Sequence, residues 1–443
     1  MNKKIVYLVL GFILLVGFTL RNHDLTVWPR EGATFDEFAW TFQGISIFTK
    51  GVPTSWSPLS AYKNRVEYKN PQGTRFTLVT PYLEHPPLFG LVAGGFAYLR
   101  GIRIFDDVTI DKIRPLALVL GMISIVGVFL LSSQIYGSVI GLLSAGIYAI
   151  IPTTVVGSRL VQNENFFIPF FLFALYFTAR YIMEKHSSWY SKNLLFAACF
   201  SALAPLAKVP WMGASLAVVC ILLYFKKWKA GLFVIGMVAI SFSTYIFYGL
   251  MLDKEVFLNL WKFQMARYDM TFASLFVLFR DPLVADRTFV DGWLYMGWAA
   301  FICLLADNNK KNMYVAIGLL AYFAVFVFAI PSESLHGWYR YPFYPFLAIA
   351  LAVFLKRFFN SNYFIMAIFF IITGSALLET TWQRLYGFSY PILRSYLLVV
   401  AFGALPGLFP SLSGKKLFRW VNWMILLFII LLTLWSSNLY NEQ

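Results

Sequence analysis

Acidic residues are scarce in this chain. It carries 21 Asp and Glu among 443 residues, against 36 Lys and Arg. Charged residues make up only 13% of it, about half the share usual in a soluble domain. Cysteine is rarer still. Cys199, Cys220 and Cys303 all lie inside apolar segments, which excludes a disulfide framework and a thiolate metal cluster. The four histidines (23, 85, 186 and 336) are scattered, so none pair at metal-binding spacing. There is no Gly-rich phosphate loop and no Gly-x-Ser-x-Gly elbow, which argues against a nucleotide-phosphate site, a zinc enzyme or a serine hydrolase. No internal repeat, low-complexity tract or soluble domain stands out.

What remains is apolar. Hydrophobic residues make up 59% of the chain and aromatics 19%. Long apolar stretches recur from end to end, which predicts an all-α, polytopic membrane protein, one membrane domain over residues 1–443. The net charge of +15 raises the question of nucleic acid. The basic residues answer it, because they cluster in short runs between apolar segments, as in cytoplasmic loops. The expected partner is the lipid bilayer, with no nucleic acid.

Lys3 and Lys4 precede an apolar run from Ile5 to Leu20, and no small-x-small cleavage pattern follows before Arg21. This predicts an uncleaved first span with a cytoplasmic N-terminus. Residues 21–113 form a long first outer loop, rich at its start in Pro, Gly, Trp and Tyr. Within it, Phe89 to Leu99 is apolar but short for a span. If it crossed, five basic clusters would face outward: Lys185 to Lys192, Lys226 to Lys229, Lys310-Lys311, Lys356-Arg357 and Lys415 to Arg419. If it lies at the interface, all five join Lys3 and Lys4 inside. The positive-inside rule selects the interfacial helix. Spans are then expected near 114–132, 138–153, 165–183, 193–207, 210–225, 230–250, 290–306, 313–331, 341–355, 363–379, 395–410 and 420–436. With the first, that makes about 13, and the C-terminus lies outside. A second outer segment, 251–289, holds Trp261, Arg267, Tyr268, Arg280 and Arg287 among apolar positions and is expected to carry a surface helix.

The scarce acids become informative on this layout. Thr34-Phe-Asp-Glu-Phe-Ala-Trp40 places Asp36 and Glu37 side by side in the first outer loop. Thr34 and Glu37 fit a capping box, which accounts for Glu37 and leaves Asp36 unassigned. The same face receives Glu84 and His85 from Tyr82-Leu-Glu-His-Pro-Pro-Leu88, then Arg159 and Glu164 from the loop at 154–164. Lys208 comes from Leu206-Ala-Lys-Val-Pro-Trp211, and Arg340 and Tyr341 from Gly337-Trp-Tyr-Arg-Tyr-Pro342. Each has an ordinary reading when taken alone. Asp36 is a first-turn acid favoured by the helix dipole. Glu84 and His85 precede a Pro-Pro helix start. Arg159, Lys208 and Arg340 are interfacial anchors of the kind common beside Trp and Tyr. Together they put acids and fixed cations on one membrane face, where ionisable groups are costly and usually functional. That mixture suits a substrate with an anionic head and a lipid tail. Cations hold phosphate, and an ionised acid accepts a proton from a nucleophile.

In order and spacing these motifs resemble the GT-C glycosyltransferases of the protein O-mannosyltransferase and aminoarabinose transferase type. Asp36-Glu37 is similar to that family's first-loop acidic motif. Glu84-His-Pro-Pro87 is similar to its Lys-or-His-before-Pro-Pro segment. Ser158-Arg-Leu160 with Glu164 resembles its second outer loop, and Leu203-Ala-Pro-Leu-Ala-Lys208 its Leu-Thr-Lys segment. The resemblance covers about residues 30–350. It departs at Asn163-Glu-Asn165, where many relatives have Asp after Pro. It also lacks the Trp-Trp-Asp-Tyr-Gly motif of oligosaccharyltransferases and any large soluble insert.

The resemblance implies an inverting transfer of sugar from a polyprenyl-phosphate donor to a hydroxyl of a protein, lipid or glycan acceptor, on the outer face of the cell membrane. It makes Asp36 the base. Lys208, Arg340 and either His85 or Arg159 would neutralise the departing phosphate, and Glu37 would cap its helix or bind sugar. Two adjacent acids could hold a divalent metal, but positioned cations do the same work, and no metal or other cofactor is expected. The competing readings are a transporter or flippase for a lipid-linked or anionic substrate, which predicts paired broken helices at the midplane, and a non-catalytic scaffold.

Overall fold

The computed structural model describes residues 2–69, 75–184, 191–267, 278, 291–331, 336–380 and 390–439. Helix α1 (Lys3–Asn22) starts where the Asn2 side chain accepts from the Lys4 N–H. It leans on α4 (Ile110–Tyr136) and α5 (Ser138–Ile150) through Gly17, where a β-carbon would come within 2.6 Å of Ile125. The short α6 (Pro152–Gly157) leads to α7 (Asn163–Met183). Then come α8 (Lys192–Ala207), α9 (Met212–Tyr224) and α10 (Trp228–Ala266). The later bundle is α11 (Gly292–Ala306), α12 (Asn312–Phe328), α13 (Tyr344–Phe358), α14 (Tyr363–Leu378), α15 (Tyr390–Leu408) and α16 (Lys416–Asn438).

Among the described residues, seven helical stretches are long and apolar enough to cross a membrane, including α1, α4, α7, α10, and α13 with the turn Gly337–Phe343 before it. Shorter apolar helices fill the bundle between them. Burial follows position. Every residue of α13 from Tyr344 to Ala352 is buried, so it serves as a central post between α5 and α11. By contrast α1, α10, α15 and α16 leave most of their apolar surface uncovered, as a lipid-facing helix requires. Aromatic packing ties the centre together. Phe167 stacks on Trp211 at 4.6 Å, and Phe171 meets Phe346 at 5.1 Å.

The first outer loop is a folded unit. It contains α2 (Asp36–Lys50), strands β1 (Ser55–Trp56), β2 (Arg65–Lys69) and β3 (Arg75–Val79), and α3 (Leu88–Leu99). The strands make an antiparallel sheet in the order β1-β3-β2, with Ser55 opposite Val79 and Glu67 opposite Thr77. This small sheet is an addition to the expected all-α fold. Its strands alternate weakly and are short, so they give little periodic signal. Helix α3 has 12 residues, about 18 Å of helix against a hydrocarbon core of about 30 Å. It crosses α2 with backbone on backbone. A β-carbon on Gly44 would lie 1.9 Å from the Gly90 carbonyl oxygen, and one on Gly94 would lie 2.5 Å from Gly44.

Helix α10 does not stop at the expected span end near residue 250. It bends at Asp253, whose backbone is non-helical (φ −162°, ψ 99°). The Asp253 side chain restarts the helix by accepting from the Val256 N–H at 2.9 Å. The second arm reaches Ala266 and packs Phe257 and Leu260 onto Leu59, Tyr62, Tyr82 and Leu83 of the first loop. Most of the expected segment beyond it, including Tyr268, Arg280 and Arg287, lies outside the described residues.

Candidate active site

Helix α2 does not start with the capping box that the sequence suggests. Its first residue is Asp36, and no side chain caps it in that pattern. Thr34 Oγ1 accepts from the Asp36 N–H at 3.2 Å, while Glu37 turns away from its own helix end. Glu37 is fully buried against Arg114 near the start of α4, which is also fully buried. Arg114 Nη2 donates to Oε1 at 2.9 Å and Nε to Oε2 at 3.1 Å. The Val161 N–H also donates to Oε2, at 3.1 Å. Arg114 Nη1 reaches the carbonyls of Leu25 (3.0 Å) and Pro29 (2.6 Å). A bidentate guanidinium outcompetes a local cap, because a buried carboxylate needs both charge and hydrogen bonds. Glu37 therefore ties α2, α4, the loop at 25–29 and the turn before α7 into one block.

Asp36 sits at the other end of that arrangement and lines a cavity of about 420 Å³. Its carboxylate receives one long hydrogen bond, from Gln162 Nε2 to Oδ2 at 3.5 Å. Gln162 is itself anchored by donating to Thr34 Oγ1 at 2.9 Å. Burial raises the Asp36 pKa, while Lys208 and the Gln162 hydrogen bond lower it. The acid is thus pushed towards the range of a useful base and held ionisable by a neighbouring cation.

Glu84, His85 and Lys208 line the same cavity. Ser57 Oγ donates to Glu84 Oε2 at 2.7 Å. Tyr62 Oη accepts from the Leu83 and Glu84 N–H groups, both at 3.1 Å. Burial pushes the Glu84 carboxyl up to about 7, helped by Asp36 and opposed by the Ser57 bond, Arg267 and Lys208. His85 Nε2 lies 3.7 Å from Glu84 Oε1, and the ring packs 4.9 Å from Trp40. Burial lowers the His85 pKa well below its ordinary value, and Lys208 and Arg267 lower it further. Burial thus works against the positive charge expected of His85.

Lys208 occupies the break between α8 and α9, which Pro205 and Pro210 bracket. Its Nζ donates to Glu164 Oε1 at 3.1 Å and to Tyr339 Oη at 2.9 Å, and it lies over the Tyr339 ring at 4.4 Å. Burial lowers its pKa, but Glu164, Tyr339 and Asp36 outweigh burial and hold it raised. Asn163-Glu-Asn165 has a local logic. Asn163 accepts from Trp211 Nε1 at 2.6 Å and donates to the Ala207 carbonyl at 3.0 Å. Asn165 donates to the carbonyls of Gly157 and Leu160. The two amides clamp the start of α7 to the α8–α9 break, and Glu164 between them meets Lys208.

Four of the residues singled out in the sequence thus share one cavity: Asp36, Glu84, His85 and Lys208. Five stand behind it. Glu37 and Glu164 are paired as described. Arg159 donates to the carbonyls of Leu20 (2.8 Å) and Trp28 (3.1 Å). Arg340 and Tyr341 are buried in the turn Gly337–Phe343, where Tyr341 closes on Gly157. That turn reaches the cavity through Trp338 and Tyr339 instead. Sequence reasoning missed Arg114, Gln162, Ser57 and the role of Tyr339. Arg114 carried a signal, being a charge at the mouth of an apolar run. Ser57 and Gln162 carried none. Among the described residues no group of three His, Cys, Asp or Glu side chains could hold a metal. The adjacent acids Asp36 and Glu37 face different partners.

Residues 84–248 match the family described as dolichyl-phosphate-mannose-protein mannosyltransferase. Comparison with curated protein sequences finds no match. Among solved structures, the chain is similar to ArnT from Cupriavidus metallidurans bound to undecaprenyl phosphate. That likeness has a TM-score of 0.57 and 16% identity, covering 99% of this chain and 78% of that one. The apo form of ArnT gives 0.56 and 14%, covering 98% and 77%. The apo oligosaccharyltransferase of Archaeoglobus fulgidus gives 0.51 and 11%, covering 96% of this chain and 56% of that one. The matched segment covers part of the chain, and over its whole length the protein has the fold of ArnT, that of a multi-pass GT-C membrane protein.

Proposed function

We propose that this chain transfers a sugar from a polyprenyl-phosphate carrier to an acceptor hydroxyl, with inversion at the anomeric carbon. The observation that carries the reading is Asp36, a cavity carboxylate with one long hydrogen bond, beside a charged lysine. The acceptor O–H gives its proton to Asp36 as its oxygen bonds the anomeric carbon. The bond from that carbon to the phosphate oxygen breaks on the opposite side, and the electron pair stays on phosphate. Lys208 and Arg267, both in the cavity wall, supply the positive charge that this leaving group needs. Fixed cations do here what a divalent metal does elsewhere. The lipid tail lies along the uncovered helices, and the family match and the ArnT likeness favour a lipid-phosphate donor.

The site belongs on the outer face. The cavity is lined by the first loop, the α8–α9 break, the second arm of α10 and the α12–α13 connection, with the α6–α7 turn behind it. The basic runs Lys226 to Lys229, Lys310-Lys311, Lys356-Arg357 and Lys415-Lys416 occupy the intervening junctions, and Arg357 pairs with Asp307 between two of them. Helices that alternate in direction put these two sets at opposite ends, and the positive end stays in the cytoplasm. The acceptor is a protein, lipid or glycan hydroxyl presented from outside the cell membrane.

Radiolabelled polyprenyl-phosphate sugars, incubated with native membrane extract and purified protein, test this. Wild type should move label off the carrier, and Asp36→Asn should not. Equal transfer by both would remove Asp36 as the base. A wild type that binds undecaprenyl phosphate yet transfers nothing from any donor would favour a flippase.

A further inference from the structure

Glu37 and Glu84 are both acids in the first loop, yet their surroundings differ. Glu37 has both oxygens consumed by Arg114 and the Val161 N–H. That is how a structural carboxylate is satisfied. Glu84 is fixed from behind only. Ser57 Oγ donates to Oε2, and Tyr62 Oη accepts from the Leu83 and Glu84 N–H groups. The Tyr82 N–H donates to the Pro53 carbonyl at 2.7 Å, and Pro86 and Pro87 stiffen the chain beyond. Oε1 is left towards the cavity that Glu84 lines, with His85 Nε2 at 3.7 Å as its nearest cationic-type neighbour. Burial disfavours a charged His85, so the charge of a Glu84 carboxylate is eased only by the Ser57 hydrogen bond and by Arg267 and Lys208.

A rigidly mounted acid with one unspent oxygen, in a cavity that also takes an anionic group, has to face the other part of the ligand. Lys208 and Arg267, in the same cavity wall, are the cations that a phosphate would meet. A carboxylate beside phosphate would oppose binding. Hydroxyl groups are the complementary partners, since each donates to a carboxylate. Trp56 and Tyr82, adjoining Glu84 in the cavity wall, give flat apolar surfaces for the carbon face of a sugar ring.

We infer that Glu84 is a second carboxylate of the reaction: Oε1 accepts from hydroxyls of the donor sugar and faces the positive charge that builds at the anomeric carbon. This rests on the glycosyl-transfer reading above. Asp36 keeps its role as proton acceptor, and Glu84 makes and breaks no covalent bond. As the carbon–phosphate bond lengthens, the ring gains oxocarbenium character, and an ionised acid fixed at that end lowers the barrier without reorganising. Burial makes the Glu84 charge costly, and the Ser57 hydrogen bond offsets part of that cost.

The test uses full-length protein and three variants, Glu84→Gln, Glu84→Asp and Asp36→Asn. Two readouts are compared. The first is binding of sugar-free undecaprenyl phosphate, followed by thermal shift. The second is label transfer from whichever polyprenyl-phosphate sugar the wild type uses. Glu84→Gln should bind undecaprenyl phosphate as tightly as wild type and lose about a hundredfold in transfer. Glu84→Asp, which keeps the charge, should recover part of that loss. The pH profile separates this from damage to the fold. Wild-type transfer should rise through about pH 7 as Glu84 ionises among Asp36, Lys208, Arg267, His85, Tyr62, Tyr82 and Tyr245, and Glu84→Gln should lack that rise. Wild-type transfer rates in Glu84→Gln would overturn the inference. So would equal losses of transfer and of undecaprenyl phosphate binding, which would place Glu84 at the phosphate. A wild type that transfers no sugar would instead overturn the glycosyltransferase reading itself, and this inference with it.

Discussion

Glu37→Gln should cripple this protein, although Glu37 is outside the cavity. The substitution keeps the shape and removes the charge. Arg114 is then left fully buried, with two carbonyls and no anion. The new amide also turns an N–H either towards Arg114 or towards the Val161 N–H, so one donor faces another. Breaking one side of a buried ion pair costs about 3–5 kcal/mol. Because the pair joins four segments, the loss should also appear in catalysis. Val161 adjoins Gln162, and Gln162 holds both Thr34 and Asp36. A displacement of Asp36 by about 1 Å is worth about a hundredfold in rate.

The assay is thermal unfolding in detergent at one heating rate, since membrane proteins of this size commonly unfold irreversibly, together with label transfer. Glu37→Gln should unfold at a clearly lower temperature and lose rate more than undecaprenyl phosphate affinity. Arg114→Met alone should do similar harm. The double variant Glu37→Gln/Arg114→Met should be less destabilised than the two losses added, because no buried charge is left unpaired. If each single variant costs under about 1 kcal/mol and the two effects add, the clamp is not what holds this end of the bundle together.

Three further outcomes follow from the site. Glu84 has its pKa raised from 4.5 to about 7 in the folded protein. Stability from its protonation is therefore full below about pH 4.5 and is lost as pH rises through 7, a change of about 3 kcal/mol. The melting temperature of Glu84→Gln should accordingly gain on wild type between pH 5 and pH 8 and not the reverse. Lys208→Met leaves the buried Glu164 carboxylate without its cation and should cost about 3–5 kcal/mol, while Lys208→Arg should fail to restore transfer because a guanidinium does not fit a site built around Glu164 and Tyr339. Gly44→Ala should separate α2 from α3, since its methyl meets the Gly90 carbonyl oxygen; about 1–3 kcal/mol of stability should be lost, read as a lower melting temperature with reduced transfer.

The scarcity of acids singled out Asp36, which lines the cavity, and the reason also sets the limit of what the sequence could say. In a chain that excludes charge from most of its length, each remaining charge has a purpose, and the purpose is either to meet substrate or to meet another charge. Sequence position distinguishes these poorly. Asp36 and Glu37 are adjacent, and one faces the cavity while the other faces Arg114, because neighbouring residues on a helix point about 100° apart. Glu164 and Lys208 are 44 residues apart and act as one unit. The helical layout could be read, since apolar length and the side of the basic clusters are one-dimensional properties. The apolar run at 89–99, read as too short to span, is a helix of 12 residues. The elbow of α10 and the three short strands could not, because they depend on what packs against them. Pairing of charges is equally three-dimensional. A single sequence identifies which ionisable groups are present, and the fold decides that Glu37 pairs with Arg114 and that Glu164 holds Lys208 at the cavity. What the cavity then presents is Asp36, one oxygen of Glu84 and the positive charge of Lys208 and Arg267.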